Sequence, residues 1–376
     1  MTGIKYVHPG TVIGAVEVAK LGALRTSTNA VTVAAVKALL SDCDAHLASQ
    51  PYAMVHVNAL FHPGPNDATY KKLDAAVASV KGAVAATPVV DQTQNYVTHD
   101  SELCYKFALA YLITKQPKYA DKVMQLLEAW SDVCQSWGNI NENGPLLAGW
   151  MLVNMAEAAE ILKHQYPQWS LAVETKFRHF VDTILFPQFN HSLDANHNLT
   201  GFVSKGNWGA TIIEARLSYA IFTENDAEFS KCVQETSRLF DNLLISSTGQ
   251  EVETLRDITH ACMGIGSLVG ISEILWHQGI DTYSLKSNLL LTALEYHASI
   301  IQGTIPADIL PTVKNNAVWK ACVMYSAVAN WEIAYNHFTV RKLLKMPKTQ
   351  ALIESHRPEG YGFHWGLGTL THFCTK

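Results

Sequence analysis

The chain has 376 residues, of which 48% are hydrophobic and 16% charged, and its formal net charge is −5 with histidine neutral. This apolar content suffices for a large buried core, in one large domain or two ordinary ones. Lysine and arginine form no cluster, so a nucleic-acid partner is not expected. No uninterrupted apolar run is long enough to predict a transmembrane helix, so no membrane partner is expected either.

The N-terminal segment and the spacing of the cysteines bear on secretion, metal binding and disulfide formation. Met1–Gly10 lacks the basic and apolar segments of a secretion signal, so the protein is either intracellular or secreted with its signal already removed. The seven cysteines are scattered and form no CxxC pair, so neither a structural zinc site nor a dense disulfide framework is expected. Most lie in apolar helical contexts, which favours buried free thiols and leaves one or two disulfides open.

In chain order, the first hundred residues alternate between helical and irregular patterns. Residues 34–47 predict a short amphipathic helix, and residues 51–65, rich in His, Asn, Gly and Pro, predict a long loop. Residues 70–86 predict a second helix, and residues 87–100 a second irregular stretch. Because long loops in compact domains are often functional, we expect the loops within residues 1–100 to form a lid over a cleft.

Helical periodicity dominates the rest of the chain, and alternating strand patterns are almost absent. Predicted helices include residues 170–185, 209–222, 228–245, 255–277, 286–302 and 316–332. Short connectors such as Lys115–Lys118 and Thr223–Asp226 join consecutive helices, as antiparallel neighbours require. About ten to twelve helices in succession favour a solenoid or a closed ring, whose concave mouth is the expected ligand site. With no break in composition, we predict a single domain over residues 1–376.

The richest polar cluster of the sequence joins Glu253, Arg256, Asp257 and His260. On a helix, Glu253, Asp257 and His260 project from one side, with Arg256 beside them. Such a set has the charges and the imidazole that acid–base chemistry on an acidic ligand needs. It is equally compatible with a solvated first helical turn that carries local ion pairs, and the spacing alone leaves both interpretations open.

A second group precedes the predicted helix at 209–222. Asn207 and Trp208 stand where a loop enters that helix, so Asn207 is either a helix cap or a ligand-binding amide. Trp208 can stack on a sugar ring or pack in the core. A polar loop at Asp194–Asn198 contains His197, and His99 and Asp100 end the second irregular stretch.

The C-terminal region is dense in aromatic residues and histidine. Trp331–His337 is followed by Arg357 and by Tyr361–Trp365, which suits either a tail packed across the ring mouth or a hydrophobic clasp. The sequence contains no GxSxG elbow, no Walker loop and no HExxH motif, so those hydrolase, nucleotide-binding and metalloprotease classes are not indicated.

Together these stretches resemble the alginate-lyase-type superfamily of polysaccharide lyases, from about His99 to the C-terminus. The resemblance is carried by His99-Asp100, Gly206-Asn-Trp208, Glu253–His260, Gln278-Gly-x-Asp-x-Tyr283 and Tyr335-Asn-His337. It implies an incomplete (α/α) toroid and a secreted enzyme that cleaves an acidic polysaccharide, such as alginate or glucuronan, by β-elimination. It implies no required cofactor and no catalytic metal, and it is compatible with a structural divalent cation.

The chemistry of that reaction assigns roles to residues of this chain. Asn207 and Arg256 are expected to neutralise the uronate carboxylate, and Tyr335 to act as the acid. His260 is the first choice for base or charge neutraliser, and His197 the second. The better-known lyases of this type carry a tyrosine two turns after the arginine, where this chain has Met263. Substrate contacts are expected from Trp208, Glu253, His99, Lys205, His337 and Tyr361.

Two other functions fit the same helical ring. A glycoside hydrolase needs two facing carboxylates, a role for which Glu253 and Asp257 are poorly suited because one helix is expected to carry both. A noncatalytic glycan-binding protein needs the same cleft without turnover.

Overall fold

The computed structural model describes residues 3–57, 93–138, 143–190, 206–316, 328–362 and 364–374. Over these ranges the chain is helical with very little strand, which confirms the predicted all-α class. The helices are α1 (Ala15–Ala23), α2 (Ala30–His46), α3 (Thr93–Thr114), α4 (Pro117–Val133), α5 (Gly144–Gln165), α6 (Leu171–Phe180), α7 (Phe186–Asn190), α8 (Asn207–Thr223), α9 (Asp226–Leu243), α10 (Ile258–His277), α11 (Leu285–Ile301), α12 (Leu310–Val313), α13 (Trp331–Asn336), α14 (Pro347–Glu354) and α15 (Gly368–Thr371).

The strands are short and form two separate pairs. β1 (His56–Val57) runs parallel to β2 (Ser136–Trp137), and β3 (Tyr361–Gly362) forms a hairpin with β4 (Trp365–Gly366). Single turns of π-helix follow α6 at Val181–Leu185 and α13 at His337–Arg341.

The long helices form an inner and an outer layer of a ring. α3, α5, α8, α10 and α13 pack side by side in that order, and the antiparallel partners α4, α6, α9 and α11 lie outside them. Because an outer helix returns the chain between inner ones, the inner helices run parallel and their N-termini meet at one end, the ring mouth. α1, α2 and α15 close the remaining sector between α13 and α3. This is the predicted incomplete (α/α) toroid.

The burial of each helix follows its layer. From Gly144 to Leu162 every residue of α5 is buried, as expected of a helix apolar on all sides. The outer helix α9 instead buries a single stripe, in which Phe229, Cys232 and Phe240 point at the ring. The six described cysteines are free, and all but Cys374 are buried.

The C-terminal hairpin fills the axis of the ring. Trp365 packs against α10 at Gly266, where a Cβ atom would lie 2.9 Å from the indole, so only glycine fits there. Tyr361 reaches across to α5 and donates its hydroxyl to Asn154 Oδ1. The tail thus penetrates the ring, which goes further than the predicted packing across its mouth.

Helix α1 contacts the residues that follow α15 in the sector that closes the ring between α13 and α3. On α1, Glu17 Oε1 lies 3.8 Å from Nε2 of the buried His372, which follows α15. Lys20, one turn further along α1, donates to the carbonyl of Phe373. The first described helix is therefore held by the last described residues.

The predicted irregular stretch at 87–100 is wrong from Thr93 onward, where α3 already runs. His99 and Asp100 are helical because tertiary contacts fix them. Asp100 is buried and accepts hydrogen bonds from Tyr52 N at 2.7 Å and Trp130 Nε1 at 2.8 Å. The predicted helix at 34–47 is confirmed as α2. The predicted helix at 70–86 and most of the one at 316–332 lie outside the described residues.

α10 begins later than predicted. Asp257 is extended, with φ −170° and ψ 159°, and its carboxylate accepts from the His260 amide at 2.8 Å, so it caps the helix. Glu253 and Arg256 therefore precede the helix in turns, and the predicted helical spacing of Glu253, Asp257 and His260 is wrong. By length and composition α10 can cross a membrane, but it is almost wholly buried within the ring, as a core helix is.

Candidate active site at the mouth of the ring

Asn207 and Glu253 join the first turn of α8 to the turns before α10. The Asn207 backbone amide and its Nδ2 both donate to Glu253 Oε2, each at 2.8 Å. A Cβ atom on Gly206 would lie 3.1 Å from the same oxygen, so glycine there lets the carboxylate approach. Asn207 is therefore not the cap of α8 but a buried partner of Glu253, and its Oδ1 is buried with no hydrogen-bond partner.

Asp257 holds His260 from two directions. Its Oδ1 accepts from the His260 amide, and its Oδ2 lies 2.6 Å from His260 Nδ1. Burial favours a raised pKa for Asp257, but the hydrogen bonds from His260 and the charge of Arg256 outweigh it, so that pKa lies below its usual range. An ionised Asp257 stabilises a proton on Nδ1 and leaves Nε2 of the imidazole as the basic atom.

Arg256 connects the two halves of this cluster. Its Nη1 donates to Glu253 Oε1 at 2.8 Å, and its Nε lies 3.7 Å from Asp257 Oδ2. The side chain is 57% exposed, so one face of the guanidinium remains open to an incoming anion. Asn207, Glu253, Arg256, Asp257 and His260 thus form one continuous polar chain at the mouth.

Glu251 lies beneath this chain and was not a candidate from sequence. It is buried, and its Oε2 accepts from the Glu253 amide at 2.6 Å. Burial first, and then the charge of Glu253, raises the pKa of Glu251 well above its usual range and so favours the protonated carboxyl. It supports the turn that presents Glu253.

The faces of α8 and α10 that point into the ring place the Asn207–His260 cluster above the ring interior. Asn207 lies one turn above Thr211 on α8, and Met263 separates His260 from Ser267 on α10. Thr211 Oγ1 and Ser267 Oγ lie 3.2 Å apart, which fixes the register of the two helices. Met263, at the position where the resemblance implies a tyrosine, is buried, and its thioether cannot transfer protons.

Deeper on the ring axis, His364, Glu214 and Ser267 form a polar floor, and none of the three was a candidate site residue from sequence. His364 Nε2 is 2.7 Å from Glu214 Oε2 and 3.3 Å from Ser267 Oγ. His364 and Glu214 border a cavity of about 20 Å³ that is also lined by Tyr105 and Asn154. Such a volume has room for about one water molecule. The concentration of histidine and tryptophan near the C-terminus was the one available indication of this floor.

Two predicted site residues lie elsewhere. His337 is buried at the opposite end of α10, where it stacks on Tyr283 with ring centroids 3.8 Å apart. Burial lowers its pKa to about 4, so it is a neutral core residue. Tyr335 lies against Arg357, whose guanidinium carbon is 5.9 Å from the ring, in a wall between α13 and α14. Neither residue joins the Asn207–His260 cluster.

The other candidates take intermediate positions. Tyr361 lies on the axis within the hairpin, and His99 contacts Asp100 at 3.2 Å and the ring of Tyr52. Trp208 is partly buried and packs against the core beside Asn207. His197 and Lys205 lie outside the described residues.

Comparison with known proteins reveals both a family and a fold. Residues 71–305 match the family model described as alginate lyase. The structure resembles alginate lyase A1-III from Sphingomonas species A1, with a TM-score of 0.72 and 14% identity over 97% of this chain and 96% of that one. An alginate lyase from Bacteroides ovatus gives a TM-score of 0.66 and 15% identity, over 98% of this chain and 100% of that one.

A third structure is a histidine-to-alanine variant of A1-III complexed with a tetrasaccharide, with a TM-score of 0.68 and 13% identity over 98% of this chain and 96% of that one. No curated protein matches the chain by sequence. The structural likenesses confirm the toroid, and the family model covers more than half of the residues. The chain is a polysaccharide lyase that belongs to the alginate lyase family.

Proposed function

We propose that the chain cleaves a uronate-containing polysaccharide by β-elimination at the ring mouth, with alginate, and polymannuronate blocks in particular, as the first substrate to test and glucuronan as the second. The observation that carries this proposal is the Asp257–His260 pair standing beside the exposed guanidinium of Arg256. The names of the solved relatives, all alginate lyases, support the choice of alginate.

Carboxylate neutralisation is the first requirement of the reaction. The proton on C5 of a uronate is weakly acidic while the neighbouring carboxylate is negative, because its removal builds charge on the same group. Arg256 supplies donors for that charge, and Asn207 holds Glu253, the partner of the guanidinium. Each preorganised donor of this kind contributes roughly 3–4 kcal/mol of transition-state stabilisation.

Proton transfer is the second requirement, and His260 meets it. With Nδ1 held by Asp257, Nε2 accepts the C5 proton as the C5–H electron pair forms the C4–C5 double bond. The C4–O4 bond breaks, and the departing O4 takes up the proton that His260 accepted, directly or through a water molecule, so no net proton is consumed. Tyr335 is too far round the fold to join His260, and we therefore assign it no catalytic role.

The decisive experiment incubates the purified protein with polymannuronate, polyguluronate and glucuronan, and follows the ultraviolet absorbance of the unsaturated product. We expect absorbance with at least one uronan and a roughly 10²–10⁴-fold lower rate for His260→Gln. The exposed His179 on the outer helix α6 provides the control, since His179→Gln removes an imidazole that does not belong to the Asn207–His260 cluster. Reducing ends without unsaturation would instead indicate hydrolysis, and binding without turnover a noncatalytic role.

We also propose that the protein acts outside the cytoplasm, because a polymeric substrate cannot reach an internal enzyme intact. Fractionation of the source organism tests this directly. Detection of the protein only in the cytoplasmic fraction would refute it.

A further inference from the structure

Far from the ring mouth, three side chains of types that can bind metals lie together near the C-terminal end of α5. Glu160 and His164 are four residues apart on that helix, so they share one face. His8 reaches them from the N-terminal segment that precedes α1. One ligand atom from each residue lies within 4.8 Å of the others.

One of the two separations already suits a small cation, and the other is a direct hydrogen bond that His8 gives up when a metal binds. His8 Nδ1 is 2.7 Å from Glu160 Oε1, and His164 Nε2 is 3.5 Å from Glu160 Oε2. Zinc in proteins lies about 2.0–2.2 Å from nitrogen and oxygen ligands, which places tetrahedral ligand atoms roughly 3.3–3.6 Å apart. The two imidazoles stack with centroids 4.2 Å apart, so small side-chain rotations converge the ligands without movement of the backbone.

Unsatisfied polar atoms provide a second, independent indication. Glu160 Oε2 and His164 Nε2 are buried and face each other at 3.5 Å without forming a hydrogen bond, and His8 Nε2 is also buried without a hydrogen-bond partner. The Glu160 side chain is fully buried, and those of His8 and His164 are 17% and 24% exposed. Buried polar atoms without partners are rare in native proteins. A cation bound between Glu160 and His164 satisfies two of the three.

We propose that His8 Nδ1, the Glu160 carboxylate and His164 Nε2 bind a divalent transition-metal ion, with zinc the best match to a His₂Glu ligand set and water in the fourth position. Glu224 Oε1 lies 3.7 Å from His8 Nε2. This carboxylate is placed to accept the Nε2 proton and so to keep Nδ1 free for the metal, an arrangement common around metal-bound histidines.

Neighbouring charges do not already fill the site. The nearby Lys163 is engaged by Glu174 at 3.0 Å. By contrast, a similar group at Glu17, Glu273 and His277 already contains a cation, since Arg341 Nη2 lies 2.8 Å from Glu273 Oε1. The His8 group is therefore the stronger candidate of the two among the described residues.

A metal here would act as a structural clamp. It would join the segment around His8 to α5. One turn earlier on that helix, Glu157 already holds the same segment by accepting the Val12 amide at 3.2 Å. Gln278 holds the same segment from α10 through the carbonyls of Val7 and Gly10, at 3.0 and 2.7 Å. Occupancy is thus expected to stabilise the fold, and it is independent of chemistry at Asn207 and His260.

The test strips the full-length protein with a chelator and titrates it with zinc by calorimetry, with the thermal midpoint as a second readout. We expect one equivalent to bind, the midpoint to rise, and His164→Ala to weaken binding 10–100-fold or more. His164→Gln, which keeps a polar side chain of similar size, serves if the alanine variant folds poorly. His179→Ala is the matched control, and cobalt should give the visible spectrum of a tetrahedral site.

Two results would overturn the proposal. One is a stripped wild-type protein whose thermal midpoint does not change with zinc. The other is zinc binding of equal affinity in the wild type and both His164 variants, which would place the metal elsewhere. Loss of lyase activity decides neither outcome, because the calorimetric and thermal readouts do not depend on the substrate.

Discussion

Gly270 leaves the space that Glu214 occupies. A Cβ atom on Gly270 would lie 1.9 Å from Glu214 Oε1, and the other oxygen of that carboxylate binds His364 in the axial hairpin. One missing methyl group on α10 thus permits the contact between the ring wall and the tail that fills the ring.

Replacing Gly270 by alanine is expected to destabilise the protein by about 1–3 kcal/mol, because Glu214 must shift or the helices must separate. Gly22 on α1 is the matched control: nothing lies within 4 Å of its Cβ position, so Gly22→Ala should be neutral or stabilising by up to about 1 kcal/mol. Thermal denaturation of the two variants measures the difference, and equal midpoints would contradict this packing account.

Arg256→Ala should reduce kcat/KM by roughly 10²–10³-fold and change the thermal midpoint little, because the side chain is exposed and its proposed function is to neutralise the substrate. Arg238 offers a close match, since it is also about half exposed and also pairs with a glutamate three residues away. Arg238→Ala should retain full activity. A comparable loss of kcat/KM in both variants would contradict a catalytic role for Arg256.

Asp257→Asn separates helix capping from catalysis. Asparagine caps helices nearly as well as aspartate, so the thermal midpoint should change by a small amount only. The neutral amide no longer stabilises the proton on His260 Nδ1, so kcat should fall roughly 10²-fold or more. A variant with normal kcat would show that Asp257 is only a cap.

Glu157→Gln tests a buried acid in the ring interior. Burial raises the pKa of Glu157 to about 8, above its unfolded value of 4.5. The folded state therefore binds the proton more tightly, and this stabilisation is complete below pH 4.5 and is lost as the pH rises towards 8. Glu157→Gln has no carboxyl to titrate at this position and so lacks this pH dependence. Its free energy of unfolding relative to wild type should therefore rise by on the order of 2–3 kcal/mol between pH 5 and pH 7.

Thermal midpoints of both proteins across that range provide the measurement for Glu157. The half-exposed Glu128 on α4 is the control, because Glu128→Gln removes a carboxylate that lies outside the buried ring interior. An offset between Glu157→Gln and wild type that stays constant with pH would contradict the assigned pKa.

The helical class and the ring could be predicted because they depend on local periodicity. Apolar spacing identifies α8, α9 and α10 with errors of at most three residues at their ends, because each helix buries apolar residues at helical intervals. The error at α10 has a specific cause: Asp257 looks helical by spacing, yet its carboxylate caps the helix, so Glu253 and Arg256 fall in turns. Side-chain capping competes with helix extension, and spacing does not resolve that competition.

The candidate site was predictable where neighbours in sequence are neighbours in space. Arg256, Asp257 and His260 lie together for that reason. The partnership of Asn207 with Glu253, 46 residues away, and the approach of His364 to Glu214, 150 residues away, depend on the register of separate elements. His337 was nominated for its residue type, but its position is decided by packing on Tyr283.

The contacts of Glu17 and Lys20 with His372 and Phe373 have a consequence for biosynthesis. Lys20 and Phe373 are separated by 353 residues, so α1 is synthesised long before the residues that hold it. Its sector of the ring cannot close until those residues have left the ribosome, and until then the nascent protein exposes apolar inner helices that chaperones can protect.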